Sequence, residues 1–225
     1  MFATLFDFDG VLVDSEPVHL AAFNDVLVPL GLSIESQAYA KEYMSLDDAG
    51  VFRSVLSAAG RGVPEHEVRA LVDAKSPRFL ARFAESFRVF PGAGELVTRR
   101  AARGPVGIVS GALEREIAFA LDKMGVTPAI SFIVSADSAI ASKPDPAPYR
   151  LALEKLLGLV TGEPTALRVV VVEDSQGGVI SAKRAGLRCV AVAHSCASED
   201  LLQAGADAVV ADVASLTDAV LEGSA

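Results

Sequence analysis

Asp7 and Asp9, in the run DFDGVLVDSEPVH from Asp7 to His19, are the residues of this chain best suited to chemistry. They follow a short apolar run, Phe2–Phe6, that reads as a buried strand. Strand side chains alternate, so both carboxylates leave the strand end on the same side. Two carboxylates held together repel. They need a cation, a shared proton, or a reaction that uses both.

Ligands of open parallel sheets bind beyond the carboxyl ends of the strands, so the polar residues that end the other apolar runs matter most. After Val109 comes Ser110-Gly111-Ala112, opening a helix; a loop after Val134 leads to Lys143-Pro144-Asp145-Pro146; after Val172 comes Glu173-Asp174-Ser175. Taken singly, Ser110 reads as a helix cap, Lys143 as a solvated lysine, Glu173-Asp174 as an acidic loop and Asp14 as the cap of the next helix. Taken together at successive strand ends, the acidic groups, the hydroxyl and the ammonium are expected to converge.

Two unit charges about 4 Å apart interact by roughly 4 kcal/mol at an effective dielectric of about 20. A phosphate dianion facing these carboxylates would be repelled several times over, more than Lys143 alone offsets. A divalent cation reverses that field, and hard carboxylate oxygens favour Mg²⁺ over Zn²⁺. The substrate that fits is a Mg²⁺-bridged phosphate ester.

The elements that must position these groups alternate. Strand-like runs at Phe2–Phe6, Val106–Val109, Ser131–Val134, Val169–Val172, Cys189–Val192 and Ala208–Val210 are interleaved with helical patterns at Gly94–Ala102, Glu114–Met124, Ala147–Leu157 and Gly177–Ala185. That alternation predicts βαβ units and a parallel sheet, an α/β fold of Rossmann-like type. From about Glu16 to Phe87 only helical periodicity appears, more chain than a crossover needs. The reading is a catalytic core over 1–14 and 90–225 with an all-helical cap inserted at 15–89. The insert starts just past the aspartate pair and is expected to overhang it as a lid. Glu222 to Ala225 are expected to fray.

The chain has 225 residues, 51% hydrophobic and 22% charged, enough for a sizeable core. A net charge of −9 argues against general affinity for nucleic acid or anionic membranes. Cys189 and Cys196 are the only cysteines and imply no disulfide framework. The first strand begins at residue 2 and no apolar stretch spans a bilayer, so no signal peptide, no membrane segment and a cytoplasmic protein are expected. His66 and His194 read as surface residues without a role.

The ordered segments DFDGVLVDSE, IVSG, KPDP and VVEDSQGGV resemble the four motifs of the haloacid dehalogenase (HAD) superfamily, and PGAGEL and AKRAGLRCVAV extend the likeness over nearly the whole chain. The helical insert resembles the C1-type cap of the β-phosphoglucomutase and phosphoglycolate phosphatase branch. The resemblance implies Asp7 as a nucleophile that becomes an aspartyl phosphate, and Asp9 as the acid for the leaving alcohol and then the base for water. It implies that Ser110 and Lys143 hold the phosphoryl oxygens, joined by backbone amides of Phe8 and Gly111. Asp7, Asp174 and the Asp9 backbone carbonyl would hold Mg²⁺, with Glu173 a ligand or a partner of one. Gly10 would supply the turn on which the cap swings.

Within that family, Asp9 speaks against haloacid dehalogenation, whose halide leaves without protonation, and against phosphonate hydrolysis, which uses a cap lysine as a Schiff base and likewise lacks the second acid. His19 occurs just past the first motif in both phosphatases and mutases, and Lys75 falls either at a substrate-touching cap position or on a solvated helix face. The segment Tyr43-Met44-Ser45-Leu46-Asp47-Asp48 lacks the arginine that the β-phosphoglucomutase cap presents to a second phosphate, and Arg53 is displaced from it. The expectation is a monomeric phosphatase acting on a small phosphorylated metabolite, a sugar or polyol phosphate. A phosphosugar mutase is the alternative and a non-catalytic HAD-like binding protein the third reading.

Overall fold

Runs that are apolar at nearly every position must be covered on both faces. In this computed structural model, which describes residues 1–44, 46–138, 141–159 and 167–223, they form a 6-stranded sheet. Its strands are β1 (Phe2–Phe6), β2 (Val106–Val109), β3 (Phe132–Val134), β4 (Arg168–Glu173), β5 (Arg188–Val192) and β6 (Ala208–Val210), all paired in parallel. The helices are α1 (Glu16–Leu27), α2 (Ser36–Ala38), α3 (Asp48–Ala58), α4 (Glu65–Ser86), α5 (Ala93–Ala101), α6 (Glu114–Met124), α7 (Ala147–Leu159), α8 (Gln176–Arg184), α9 (Ser198–Gln203) and α10 (Asp218–Glu222). Among the described residues no helix is long and apolar enough to cross a membrane.

The chain divides into two compact units, Met1–Val13 with Val89–Ala225, and Asp14–Arg88. In the first, strand order is β3-β2-β1-β4-β5-β6. The chain starts mid-sheet, winds outward through β2 and β3, then adds β4, β5 and β6 on the other side, so the order reverses between β1 and β4. That is where an open α/β sheet leaves a crevice beyond its strand ends. Register makes the crevice useful. Phe6 pairs with Ile108 on one side and Val172 on the other, which brings Asp7 level with Val109 and Glu173.

Alternation along β1 sends Ala3 and Leu5 to one face, where they pack with Tyr149, Ala152 and Leu156 of α7 and Val179 and Ala182 of α8. Thr4 faces the other way and accepts a 2.9 Å hydrogen bond from Arg100 Nε of α5. The C-terminal end departs from the expected fraying. Glu222 closes α10 and its carboxylate pairs with Arg100 and Arg103, while Ser224 and Ala225 lie outside the described residues.

The second unit is helical and has its own core, centred on Phe23, Val26 and Leu27 of α1, Val51, Phe52 and Val55 of α3 and Val68 of α4. Phe23 meets Phe52 edge-on with ring centroids 5.2 Å apart. Asp47 caps α3 by accepting from Gly50 N–H at 2.7 Å. Asp14, expected to cap α1, does not. The N-cap is Ser15, which makes no side-chain cap bond, and the Asp14 carboxylate instead lies 3.9 Å from the Arg88 guanidinium.

Candidate active site

The site grows from the level ends of β1, β2 and β4. Asp7 N–H donates to the Val172 carbonyl at 2.9 Å, continuing the ladder one residue past β1 and fixing where the Asp7 side chain leaves the sheet. The chain then turns tightly, Gly10 N–H donating to the Val13 carbonyl at 2.9 Å, with Gly10 at φ +76 in the left-handed region. Gly10 is also needed for space. A Cβ there would lie 1.8 Å from Asp174 Oδ2 and 2.8 Å from Ser195 Oγ.

Lys143 reaches in from the loop before α7. Its ammonium donates to Asp7 Oδ1 at 2.9 Å, to the Val109 carbonyl at 2.8 Å and to Glu173 Oε1 at 2.6 Å, one acceptor from each of the level strand ends. Burial pushes this ammonium toward neutrality, but the Asp7 and Glu173 charges outweigh that and hold it above the usual lysine value. Ser110, 6% exposed, accepts from Ala112 N–H at 3.0 Å and makes a long 3.5 Å contact with Asp9 Oδ2. Its helix, α6, begins only at Glu114, so Ser110 shapes the turn before the helix rather than capping it. Gly111 beside it is exposed, and Phe8 is buried.

The carboxylates of Asp7, Glu173 and Asp174 are all buried and each offers an oxygen within 4.8 Å of the others. Burial first, and the Glu173 charge second, push the Asp7 carboxyl up to about 8 despite the Lys143 hydrogen bond. A single ammonium does not balance this cluster. Hard oxygen donors and surplus negative charge fit a divalent cation such as Mg²⁺.

Glu173 differs from the other two. Its Oε1 accepts from Lys143 and from the Tyr149 hydroxyl at 2.6 Å, and its Oε2 accepts from Asp174 N–H and the Ser175 hydroxyl, each at 3.2 Å. A carboxylate has about four lone-pair sites, and these bonds fill them. A cation on Glu173 would have to displace one of those donors, so the geometry favours the sequence alternative in which Glu173 partners a ligand. Gly178 makes room for it, since a Cβ there would sit 2.0 Å from the carboxylate.

Tyr149 was not among the residues singled out from the sequence, because an aromatic on the inner face of α7 reads as core. It is fully buried, and its hydroxyl is one of the two donors on Glu173 Oε1. Tyr149→Phe removes a hydrogen bond to a buried charge, worth about 1.5–3 kcal/mol. Urea denaturation is expected to show a loss of that size with an unchanged m-value, and a difference below about 0.5 kcal/mol would mean that the bond carries little of this anchorage.

His19 and Lys75 lie in the helical unit. The Lys75 ammonium is fully buried, 2.6 and 2.8 Å from the Asp48 carboxylate oxygens and 2.7 Å from His19 Nδ1, between the rings of Phe23 and Phe79. This corrects the solvated alternative for Lys75. It is not solvated, and its three donors are engaged with Asp48 and His19 within the unit. His19 is buried as well and stacks on Phe79 at 4.2 Å. Arg53 forms a two-pronged pair with Glu65 at 3.0 and 2.9 Å, and Ser45, in the segment that lacks the mutase arginine, lies outside the described residues.

The chain is 32% identical over 221 residues to a phosphoglycolate phosphatase of Rhodospirillum rubrum, covering 96% of this chain and 89% of that one. It is 31% identical over 227 residues to a phosphorylated carbohydrates phosphatase of Thermotoga maritima, covering 93% and 94%. Among solved structures, CbbY from Rhodobacter sphaeroides in complex with phosphate superposes with a TM-score of 0.84 at 27% identity, covering 98% of both chains. Residues 4–192 match the haloacid dehalogenase-like hydrolases as a family, and it is to that family that the chain belongs.

Proposed function

We propose that the protein is a Mg²⁺-dependent phosphatase that hydrolyses a small phosphate monoester, a sugar or polyol phosphate or a similar metabolite, through an aspartyl phosphate. The observation that carries this is the Lys143 ammonium donating at once to Asp7, Val109 and Glu173, so that a cation and the acidic groups share one crevice. The phosphatase names of the relatives support it.

Asp7, Asp174 and the Asp9 backbone carbonyl would hold Mg²⁺, which when bound neutralises the carboxylates and the phosphoryl oxygens. An Asp7 carboxylate oxygen attacks phosphorus while the ester P–O bond breaks. The Asp9 carboxyl gives its proton to the departing alkoxide. As a carboxylate, Asp9 then takes a proton from a water whose oxygen attacks the aspartyl phosphate, breaking the bond to Asp7 and releasing inorganic phosphate. Asp9 suits both jobs because it is only partly buried and its carboxylate has the Ser110 hydroxyl as a neighbour. Lys143 and Ser110 stabilise the phosphoryl charge, and Glu173 keeps Lys143 in place.

The test is a panel of phosphate esters assayed with Mg²⁺ and with a chelator. Phosphate release from small sugar or polyol monophosphates that stops on chelation is expected. Isomerisation of a hexose phosphate without release would replace the reading with a mutase, and inactivity across the panel would sink it.

A further inference from the structure

A fourth strand end reaches the site, and nothing in the Asp7–Lys143–Asp174 scheme uses it. β5 ends at Val192, and before α9 the chain lays His194 and Ser195 against the Gly10 turn and the residue that follows β4. The Ser195 hydroxyl donates a hydrogen bond to Asp174 Oδ2. His194 Nδ1 lies 2.8 Å from the Gly10 carbonyl oxygen. A carbonyl only accepts, so Nδ1 carries the hydrogen. The imidazole is held flat against Phe90, ring centroids 3.9 Å apart and 23° between planes. Consecutive side chains thus tie this loop to the turn after β1 and to the segment that follows β4.

The contact is tight as well as polar. The volume that a Cβ on Gly10 would fill is shared by Asp174 Oδ2 and Ser195 Oγ, so the Asp174 carboxylate is trapped between the Gly10 backbone and the Ser195 hydroxyl. A carboxylate free to rotate about its side-chain bonds loses rotamer freedom when it binds a cation, whereas one already held does not. Hydrogen bonds to the far side of ligating groups fix their orientation in this way.

We propose that Ser195 is a positioning residue for the metal. It fixes the rotamer of Asp174, while His194 holds the Gly10 carbonyl and so the turn that carries the Asp9 backbone. The proposal rests on the reading of Asp174 as a Mg²⁺ ligand. Ser195 acts through Asp174.

The experiment is calorimetric titration of Mg²⁺ into the metal-free full-length protein: wild type, Ser195→Ala, Ser195→Thr and Asp174→Asn, each checked for folding by circular dichroism. Ser195→Ala is expected to weaken Mg²⁺ binding about 10- to 100-fold, and Ser195→Thr, which keeps the hydroxyl, to recover most of it. In the assay the Mg²⁺ concentration at half-maximal rate rises by the same factor, while KM for the ester moves little. A folded Ser195→Ala protein that binds Mg²⁺ as wild type does, or more tightly, overturns the proposal and leaves the phosphatase reading standing. If the wild type itself binds no Mg²⁺, or Asp174→Asn binds it undiminished, the metal reading falls and the proposal with it.

Discussion

Asp7→Asn is expected to reduce Mg²⁺-dependent phosphate release by at least about a thousandfold while leaving the protein folded. The substitution is nearly isosteric, so the two effects can be separated. An amide oxygen is a poor nucleophile and cannot form a stable aspartyl phosphate, and loss of a nucleophile that acts as part of a unit costs several orders of magnitude. The folded state should tolerate the change. Burial and Glu173 already push the Asp7 carboxyl up to about 8, so its negative charge is the costly form in the metal-free site. Removing that charge relieves repulsion with Glu173, although Lys143 loses an ion pair at 2.9 Å. Functional sites commonly trade stability for reactivity in this manner. Initial rates with a saturating sugar monophosphate, and acid-quench trapping of labelled phosphoenzyme, provide the readouts. Retained turnover, or a phosphoenzyme that still forms, would remove Asp7 as nucleophile and with it the covalent mechanism.

The parts of this site that project from strand ends were legible in the sequence. An all-apolar run that stops at Asp, Ser or Glu-Asp has no packing reason to do so, and β1, β2 and β4 stop within a residue of where that change of chemistry occurs. The parts that act through space were not. Ser195 meets Asp174, and His194 meets Gly10, across a loop whose composition is that of an ordinary surface turn. Only the parallel addition of β5 beside β4 brings them there. Tyr149 spends an apolar ring on the core and a hydroxyl on Glu173, and helical periodicity registers only the ring.

Lys75 shows the converse. A lysine on a long helix reads as solvated, and its burial follows from Asp48 and His19, contributed by two other helices. Nothing local to residue 75 encodes that pairing. Glu173-Asp174 illustrates a subtler limit, since adjacent acids look equivalent in sequence. Alternation on β4 turns Glu173 inward to four donors, and the carboxylate after it is left to the crevice.

Arg100→Ala is expected to destabilise the fold by about 3–5 kcal/mol, the usual cost of removing one partner from a buried charge network. That is a large share of a typical total of about 5–15 kcal/mol. Arg100 lies in the last turn of α5, where an arginine reads as an exposed complement to the helix dipole, yet it is fully buried. Its Nε donates to Thr4, and its Nη1 donates to Asp218 at 2.9 Å and to Glu222 at 2.8 Å, tying α10 to the centre of the sheet. Truncation leaves a cavity under α5, a buried threonine hydroxyl without that donor and the α10 carboxylates with Arg99 and Arg103 alone. The pH dependence separates charge from volume. Burial raises the Asp218 and Glu222 carboxyls, but the arginines outweigh it and hold both below their ordinary values of 3.8 and 4.5. A carboxyl depressed in the folded state contributes stability that is complete above its unfolded value and is lost as pH falls through the folded one. The gap between wild type and Arg100→Ala in urea denaturation is therefore expected to be full at pH 7 and to narrow as pH falls below about 4.5. Arg100→Met, which refills much of the volume without the charge, should keep that narrowing and recover part of the loss. A gap that stays constant with pH would assign the cost to the cavity alone and leave the ion pairs without net effect.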